Sequence, residues 1–344
     1  MMDPTKPGRV GIVIVNWNSG NLLRQCLQSM TFCKHPERIA QVVVVDNDSH
    51  DGSCDELPQI GIPVHVIRNE TNRGFAVACN QGAAVCRVHE QNSPTERNKA
   101  EFLLFLNPDS ELLPDSLDVP LSYLEDSRNQ DVGICGIQLL DERGSVARSC
   151  SRLPTCSSLV AMALRLNGLS RRWFPPHFMK EWDHSQTRVV DQVIGAFFLV
   201  RTQLFEDLNG FDERFFVYFE EVDFCQRTRQ RGLKTAYLAS AQARHVGAGC
   251  SSQVRGRALF YSLRSRIAYA EKHLPRWQAT LVRAATLVGE PSIRIAASVL
   301  KLKWKNLRPL ISAFGMLWQD RFTAKPASDP THRQSPKALA TENA

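Results

Sequence analysis

Val42-Val43-Val44-Val45-Asp46-Asn47-Asp48-Ser49 holds four β-branched apolar residues with no polar alternation, followed at once by a polar stop. A strand that is apolar at every position is buried on both faces, as in a parallel sheet covered by helices. The same form recurs on either side. Val10-Gly11-Ile12-Val13-Ile14-Val15 stops at Asn16-Trp17-Asn18-Ser19-Gly20, and Phe102-Leu103-Leu104-Phe105-Leu106 stops at Asn107-Pro108-Asp109-Ser110. Between them, Leu22, Leu23, Cys26, Leu27 and Met30 follow at helical spacing, with Asn18 or Ser19 available as N-cap. Val64 to Ile67 reads as a shorter strand, and a helix is expected from about Phe75 to Val88, entered through Arg68-Asn69-Glu70-Thr71-Asn72-Arg73-Gly74. Strands alternating with helices predict an open α/β sheet, in which ligands bind beyond the carboxyl ends of the strands. Asp46, Asp48 and Asp109 stand at such ends. One carboxylate there is often only a helix cap; three on one sheet edge favour a site.

Further along, Val132 to Leu140 reads as a strand with a turn after it. Residues 149–188 carry few signals. Val189 to Val200 reads as one strand with Gly195-Ala196 in its middle, where glycine marks a close backbone or ligand approach. Thr235 to Leu238 is expected as the last strand of the body, leading to His245. Between these strands lies Gly210-Phe211-Asp212-Glu213-Arg214-Phe215-Phe216-Val217-Tyr218-Phe219-Glu220-Glu221-Val222-Asp223-Phe224, with five carboxylates among six aromatic rings. Aromatic walls exclude water and raise carboxylate pKa values, the setting of a general base. Glu220-Glu221-Val222-Asp223 opens a helix closed by Arg227, Arg229, Arg231 and a C-terminal Gly232. Acids first and arginines last also suit the helix dipole, whatever the function.

The chain has 344 residues, 43% of them hydrophobic, enough for one large core and a smaller appendage. Its ten cysteines form no C-x-x-C pair, and Cys79, Cys86 and Cys135 sit in apolar contexts, which points to reduced thiols and a cytoplasmic protein. The N-terminus lacks the apolar core of a signal peptide, and no apolar run approaches the roughly 18–20 residues of a membrane span. Arg255 to Lys325 carries 14 Lys and Arg against 3 Asp and Glu, which leaves the rest of a +7 chain mildly acidic. That segment reads as helices, Arg257 to His273, Trp277 to Val288, and Ile293 to Trp318 with a break near Pro309. Its Leu300-Lys301-Leu302-Lys303-Trp304-Lys305 stretch suits either a peripheral contact with an anionic membrane or a packed helix with a solvated basic face. No nucleic-acid motif accompanies the charge. The expected organisation is a body over residues 1–254, a basic helical segment over 255–321 and a disordered tail over 322–344.

In combination these stretches resemble the family 2 glycosyltransferases, in their rhamnosyltransferase-like branch. The resemblance runs from about Val10 to Ser251. It is carried by Val13-Ile14-Val15-Asn16-Trp17-Asn18-Ser19, Val44 to Ser53, Asn72-Arg73-Gly74-Phe75, Leu104-Phe105-Leu106-Asn107-Pro108-Asp109, Gly195-Ala196, Gly210-Phe211-Asp212-Glu213 and Tyr218 to Asp223. Each motif alone is weak; their order makes the match specific. The resemblance implies a GT-A sheet that binds a nucleotide-diphosphosugar donor and an inverting, metal-dependent transfer of one sugar. The donor would be dTDP-rhamnose and the acceptor a growing or lipid-linked glycan. It implies nucleotide-sugar contacts from Asn16, Asp46, Asp48, Arg73, Gly74, Asn107, Gly195 and Ala196. Asp109 and His245 would meet a divalent metal, Mg²⁺ or Mn²⁺. Glu221 would be the catalytic base, supported by Glu220, Asp223 and Arg227. Two departures stand out: Glu-Glu replaces the usual Glu-Asp, and Asn107 replaces an acid. They leave a second reading open, a sugar-nucleotide-binding partner without catalysis. A nicotinamide dehydrogenase is excluded by the missing G-x-G-x-x-G. A sugar nucleotidyltransferase is disfavoured because its Gly-rich, Lys-containing N-terminal loop is missing.

Overall fold

The computed structural model describes residues 8–87, 100–166, 179, 181–247, 255–300 and 307–323. Strand β1 (Val10–Asn16) lies inside the main sheet, parallel to β2 (Ile39–Asp46) on one side and β4 (Phe102–Leu106) on the other. β3 (Val64–Arg68) continues in parallel beyond β2. Past β4 the directions mix. β10 (Phe197–Arg201) runs antiparallel to β4 and to β6 (Val132–Leu140), β11 (Lys234–His245) runs parallel to β6, and β5 (Ser110–Leu112) closes the order antiparallel to β11. The order is therefore β3-β2-β1-β4-β10-β6-β11-β5, and β8 (Arg188–Val190) also pairs with β11. A separate short ladder joins β7 (Cys150–Ser151) to β9 (Gln192–Val193).

The unbroken apolar strands do bury both faces, and successive side chains divide between two cores as a period of two requires. Ile12, Ile14, Val42, Val44 and Leu104 pack with Leu23 and Leu27 of α1 (Asn21–Ser29) and Leu121 and Leu124 of α3 (Asp118–Glu125). Val13, Val43 and Phe105 face the opposite layer. There they meet α2 (Phe75–Arg87), Leu159 of α4 (Cys156–Ala163), Phe205 of α5 (Thr202–Asp207), and Phe224 and Cys225 of α6 (Glu220–Gln230). A Cβ at Gly82 would stand 2.4 Å from Val13, so glycine lets α2 lie directly on β1. Tyr269 and Ala270 of α7 (Arg255–His273) belong to this second core. Leu263 of the same helix starts a smaller core with Leu287, Leu310, Phe314 and Leu317. α7 is thus shared between the body and the C-terminal helices, α8 (Arg276–Ala284), α9 (Glu290–Leu300) and α10 (Leu307–Thr323).

Several sequence expectations need correction. Neither Asn18 nor Ser19 caps α1: Asn18 Oδ1 accepts from His50 N at 2.8 Å, Ser19 Oγ donates to Asn16, and Gly20 becomes the N-cap. The expected strand from Val189 to Val200 is three strands, β8, β9 and β10, each pairing with a different neighbour, with Gly195-Ala196 between the last two. The last strand is longer than expected. β11 runs through a register shift between Leu238 and Gln242 and ends at His245 itself. In line with the break expected near Pro309, α9 ends at Leu300 and α10 begins at Leu307, with Pro309 in its first turn, where its missing N–H has no intrahelical partner to lose. A π-helical turn over Ala285–Gly289 joins α8 to α9. The Lys301–Lys305 stretch, the polar stretch Glu90 to Lys99, whose composition predicts a surface loop, and the tail from 324 onward lie outside the described residues. Cys79, Cys86 and Cys135 are buried free thiols, and burial pushes Cys86 up to about 12. No described helix is long and apolar enough to cross a membrane.

Candidate active site

A cavity of about 630 Å³ opens beyond the carboxyl ends of the parallel strands. Val15, Asp48 and Asn107 bring in the ends of β1, β2 and β4, and Asp109 follows Asn107 into it. Gly74 and Phe75 at the start of α2, Phe216 to Tyr218, and Arg257, Ala258 and Tyr261 of α7 complete the wall. A second hollow, about 520 Å³ along Leu57 to Val66, has no charged lining residue and offers no comparable chemistry.

The strand-end wall is built mainly by uncharged amide and hydroxyl side chains. Asn16, fully buried, donates from Nδ2 to Ser53 Oγ at 2.8 Å, Ser49 Oγ at 3.0 Å and Asp46 Oδ1 at 3.3 Å, so it folds the loop after β2 over the strand ends. Asn47, 2% exposed, does the same for the next turn. Its Nδ2 donates to Asn72 Oδ1 at 3.0 Å and Gly74 O at 3.1 Å, and its Oδ1 accepts from Arg73 N at 3.0 Å and Asn69 Nδ2 at 3.1 Å. Of the residues expected to contact a nucleotide-sugar, Asp48, Gly74 and Asn107 line the cavity. Asn16 and Asp46 are buried beside it as supports, with Arg68 4.0 Å from Asp46. Arg73 is held through its backbone and its side chain is exposed. Ala196 O accepts from Asn107 N and Ser110 Oγ, both at 3.2 Å, which fastens the Asn107–Ser110 turn. Gly195 is not crowded: a Cβ there would meet no protein atom within 4 Å.

Pairing of β5 with β11 explains how two residues so distant in sequence meet. His245 stands opposite Ser110, which brings its Nε2 within 3.3 Å of Asp109 Oδ1. That nitrogen is buried and has no hydrogen-bond partner among the described residues. A carboxylate oxygen and an imidazole nitrogen at this spacing suit two corners of a divalent cation's shell. No group of three or more His, Cys, Asp and Glu with metal-ligand geometry occurs among the described residues.

The opposite wall is the acid-aromatic stretch. Its six rings divide by task. Phe211 and Phe224 join Phe105, Phe198 and Phe205 in edge-on and stacked contacts 4.8–5.9 Å apart, and Phe215 is fully buried. Phe216 and Tyr218 line the cavity, while Phe219 packs on Tyr269 of α7 at 5.6 Å. Tyr218 and Phe219 both adopt left-handed φ, +67° and +71°, immediately before α6. Aromatic residues rarely adopt this conformation, at a cost of about 1–3 kcal/mol each. Asn80 of α2 braces the stretch from behind, donating to Phe211 O and accepting from Phe211 N at 2.9 Å each.

The strained turn aims three acids into different surroundings. Burial raises the pKa of Glu220 well above the carboxylate range, and repulsion from Glu221 adds to it. Burial raises that of Glu221 as well, outweighing the backbone N–H groups around it. The Oε2 atoms of both are buried and have no hydrogen-bond partners among the described residues. Glu221 remains partly exposed as a residue whereas Glu220 is sealed, and neither lines the cavity directly. Asp223 goes the other way. Burial pushes it up, but His273 (2.7 Å), Arg227 (2.7 Å) and Lys272 (2.5 Å) outweigh that and hold it at about 2. Arg227 also donates to Leu208 O at 2.6 Å and Gly210 O at 2.9 Å, closing the loop on itself. Lys272 reaches Asp212 at 2.7 Å.

Sequence reasoning missed the share of α7 in this site. Tyr261 stacks on Phe216 at 4.3 Å, Ser265 Oγ donates to Val217 O at 2.9 Å, and Lys272 and His273 anchor the acids. The helical periodicity of 257–273 was readable, but nothing in it shows which surface the helix covers.

Residues 7–280 match the family described as glycosyltransferase like family 2. An N-acetylglucosaminyl-diphospho-decaprenol L-rhamnosyltransferase of Mycobacterium tuberculosis is 27% identical over 285 residues, 82% of this chain and 90% of that one. The rhamnosyltransferase WbbL of Escherichia coli is 30% identical over 191 residues, 55% of this chain and 68% of its own. Among solved structures, the mannosyltransferase PcManGT of Pyrobaculum calidifontis, in complex with GDP-Man and Mn²⁺, superposes with a TM-score of 0.52 at 16% identity, over 93% of this chain and 89% of that one. That likeness speaks for the GT-A type of sheet. Fold, site and relatives agree, and the chain belongs to glycosyltransferase family 2, in its rhamnosyltransferase-like branch.

Proposed function

We propose that the protein transfers one sugar, with inversion, from a nucleotide-diphosphosugar to a hydroxyl of a lipid-linked or growing cell-surface glycan. Rhamnose is the sugar that the names of the relatives favour, and dTDP-rhamnose is the donor proposed to supply it. The observation that carries the reading is the cavity at the strand ends, which sets Asp48, Gly74, Asn107 and Asp109 on one side and the strained turn before Glu221 on the other.

In this reading the wall made by Asn16, Asp46, Asp48, Arg73 and Gly74 receives the nucleotide, and Asn107, Gly195 and Ala196 border the sugar. Asp109 and His245 would hold Mg²⁺ or Mn²⁺, with the donor's phosphate oxygens supplying further ligands. Such a cation, when bound, stabilises the charge that develops on the leaving diphosphate. Glu221 accepts the proton of the acceptor hydroxyl as that oxygen attacks the anomeric carbon and the bond to the diphosphate breaks. A carboxylate with a raised pKa is a stronger base than one in water, provided the hydroxyl comes within about 2.6–3.2 Å. Glu221 is preferred over Glu220 because it keeps some exposure. Asp223 and Arg227 hold the turn. The 1–254 body supplies the donor side, and the 255–321 segment adds α7 to the acceptor side.

The test is a panel of sugar nucleotides offered with a lipid-diphosphate-linked N-acetylglucosamine acceptor and Mg²⁺ or Mn²⁺, reading nucleoside diphosphate release. Release from one donor, dependent on acceptor, is expected. Donor binding without release in the presence of acceptor would favour a non-catalytic partner, and no binding to any donor would remove the reading.

A further inference from the structure

We propose that Arg257 is a diphosphate-binding residue of this site, supplied by α7 from the C-terminal segment. This role rests on the proposed sugar transfer.

Among the described residues lining the cavity, Asp48 and Asp109 are carboxylates, His50 is an imidazole, and Arg257 is the one guanidinium or ammonium group. The fixed charge facing an incoming diphosphate is therefore negative without Arg257. A divalent cation at Asp109 offsets that charge once. If the acceptor also carries a lipid diphosphate, a second positive group at the cavity would offset the added negative charge. The planar guanidinium pairs bidentately with phosphate oxygens in a way that a lone ammonium does not.

Among the α7 arginines whose side chains the structure describes, Arg257 is the one left available for this role. Arg264 pairs with Asp320 at 3.0 Å and Arg266 with Glu290 at 2.5 Å, whereas no carboxylate pairs with Arg257 among the described residues. Its position is set by the helix. Ala258 and Tyr261 line the cavity with it, and the Tyr261–Phe216 stack, the Ser265–Val217 hydrogen bond and the Lys272 ion pairs fix the rotation and height of α7 against the loop. Arg257 itself is exposed, so its replacement leaves the core untouched.

The diphosphate can be that of the nucleotide leaving group or that of a lipid carrying the acceptor, and the test separates them. Wild type, Arg257→Ala and Arg257→Lys are titrated by calorimetry with dTDP and UDP, each against its parent nucleoside. They are also titrated with a short-chain prenyl-diphosphate N-acetylglucosamine against the methyl glycoside of the same sugar. Loss of charged hydrogen bonds predicts a roughly 10–100-fold weaker binding of Arg257→Ala to one diphosphate probe or both. Partial recovery in Arg257→Lys and no change for the probes without phosphate are expected with it. Binding by Arg257→Ala within twofold of wild type on both diphosphates overturns the inference while leaving the proposed function standing, as does an equal loss on the phosphate-free probes. Failure of wild type to bind any nucleoside diphosphate overturns both.

Discussion

The wall at the ends of β1 and β2 and the wall formed by Gly210 to Phe224 face the same cavity, but different forces hold them. The first is a chain of short neutral hydrogen bonds, with Asn16 and Asn47 each satisfying several loop groups from a buried amide. The second combines a left-handed aromatic turn, two acids each with one buried oxygen that has no hydrogen-bond partner among the described residues, and a buried ion cluster reaching across to α7. Neutral networks are satisfied where they lie and give a preformed surface. Buried carboxylates out of balance with their surroundings give reactivity, and other contacts must hold them there. The difference accords with the proposed function, in which the first wall serves recognition and the second proton chemistry.

If the ion cluster holds the second wall, Asp223→Ala should have the largest effect on stability. It leaves Arg227, Lys272 and His273 around an empty, fully buried position, at a cost of about 3–5 kcal/mol in urea unfolding. The pH dependence carries its sign. Asp223 is held at about 2, below the roughly 3.9 of an unfolded aspartate, so its stabilisation is full above pH ~4 and disappears as pH falls through about 2. Asp223→Asn should flatten that limb. A loss under 1 kcal/mol would mean that aromatic packing alone holds the wall.

Gly74 is the seam between the two walls. It has φ +88°, and a Cβ there would stand 2.5 Å from Phe216 O, the acceptor of the Phe75 N–H. Gly74→Ala should therefore cost about 1–3 kcal/mol and weaken donor binding together with stability. Unchanged stability would show that the walls are independent.

The smallest effect should have the opposite sign. Glu220 has a raised pKa, so its contribution is present below the ordinary glutamate value and is lost as pH rises through the raised one. Glu220→Gln should stabilise the fold at neutral pH by about 0.5–2 kcal/mol, measured by thermal unfolding at pH 7 and pH 4, with the gain shrinking at the lower pH. A loss at pH 7 would place a structural role on the ionised carboxylate.

The two walls were also unequally legible in the sequence. The first obeys local rules. Unbroken apolar runs mean strands buried on both faces, and the polar residues that end each run must lie at the carboxyl edge of the sheet. That rule alone puts Asp48, Asn107 and Asp109 on one edge. The acids and rings of the second wall were conspicuous, and the raised Glu220 and Glu221 agree with the expected effect of aromatic burial. The part that could not be read is long-range. The meeting of His245 with Asp109 depends on a strand that continues past a bulge of small residues, Ala239-Ser240-Ala241. The docking of Lys272 and Tyr261 depends on where α7 packs. Helix spacing reports a face, not its partner. Asn18 and Ser19 failed as caps for a related reason: the Asn18 side chain was already engaged with the loop after β2 and that of Ser19 with Asn16 at the end of β1.

Whether Glu221 takes the acceptor's proton is decided by the kcat of Glu221→Gln, measured beside its Kd for the nucleoside diphosphate. Loss of a general base predicts a fall in kcat of roughly 10²–10⁴-fold with Kd unchanged. Turnover within about threefold of wild type would contradict that role and move the base to another group.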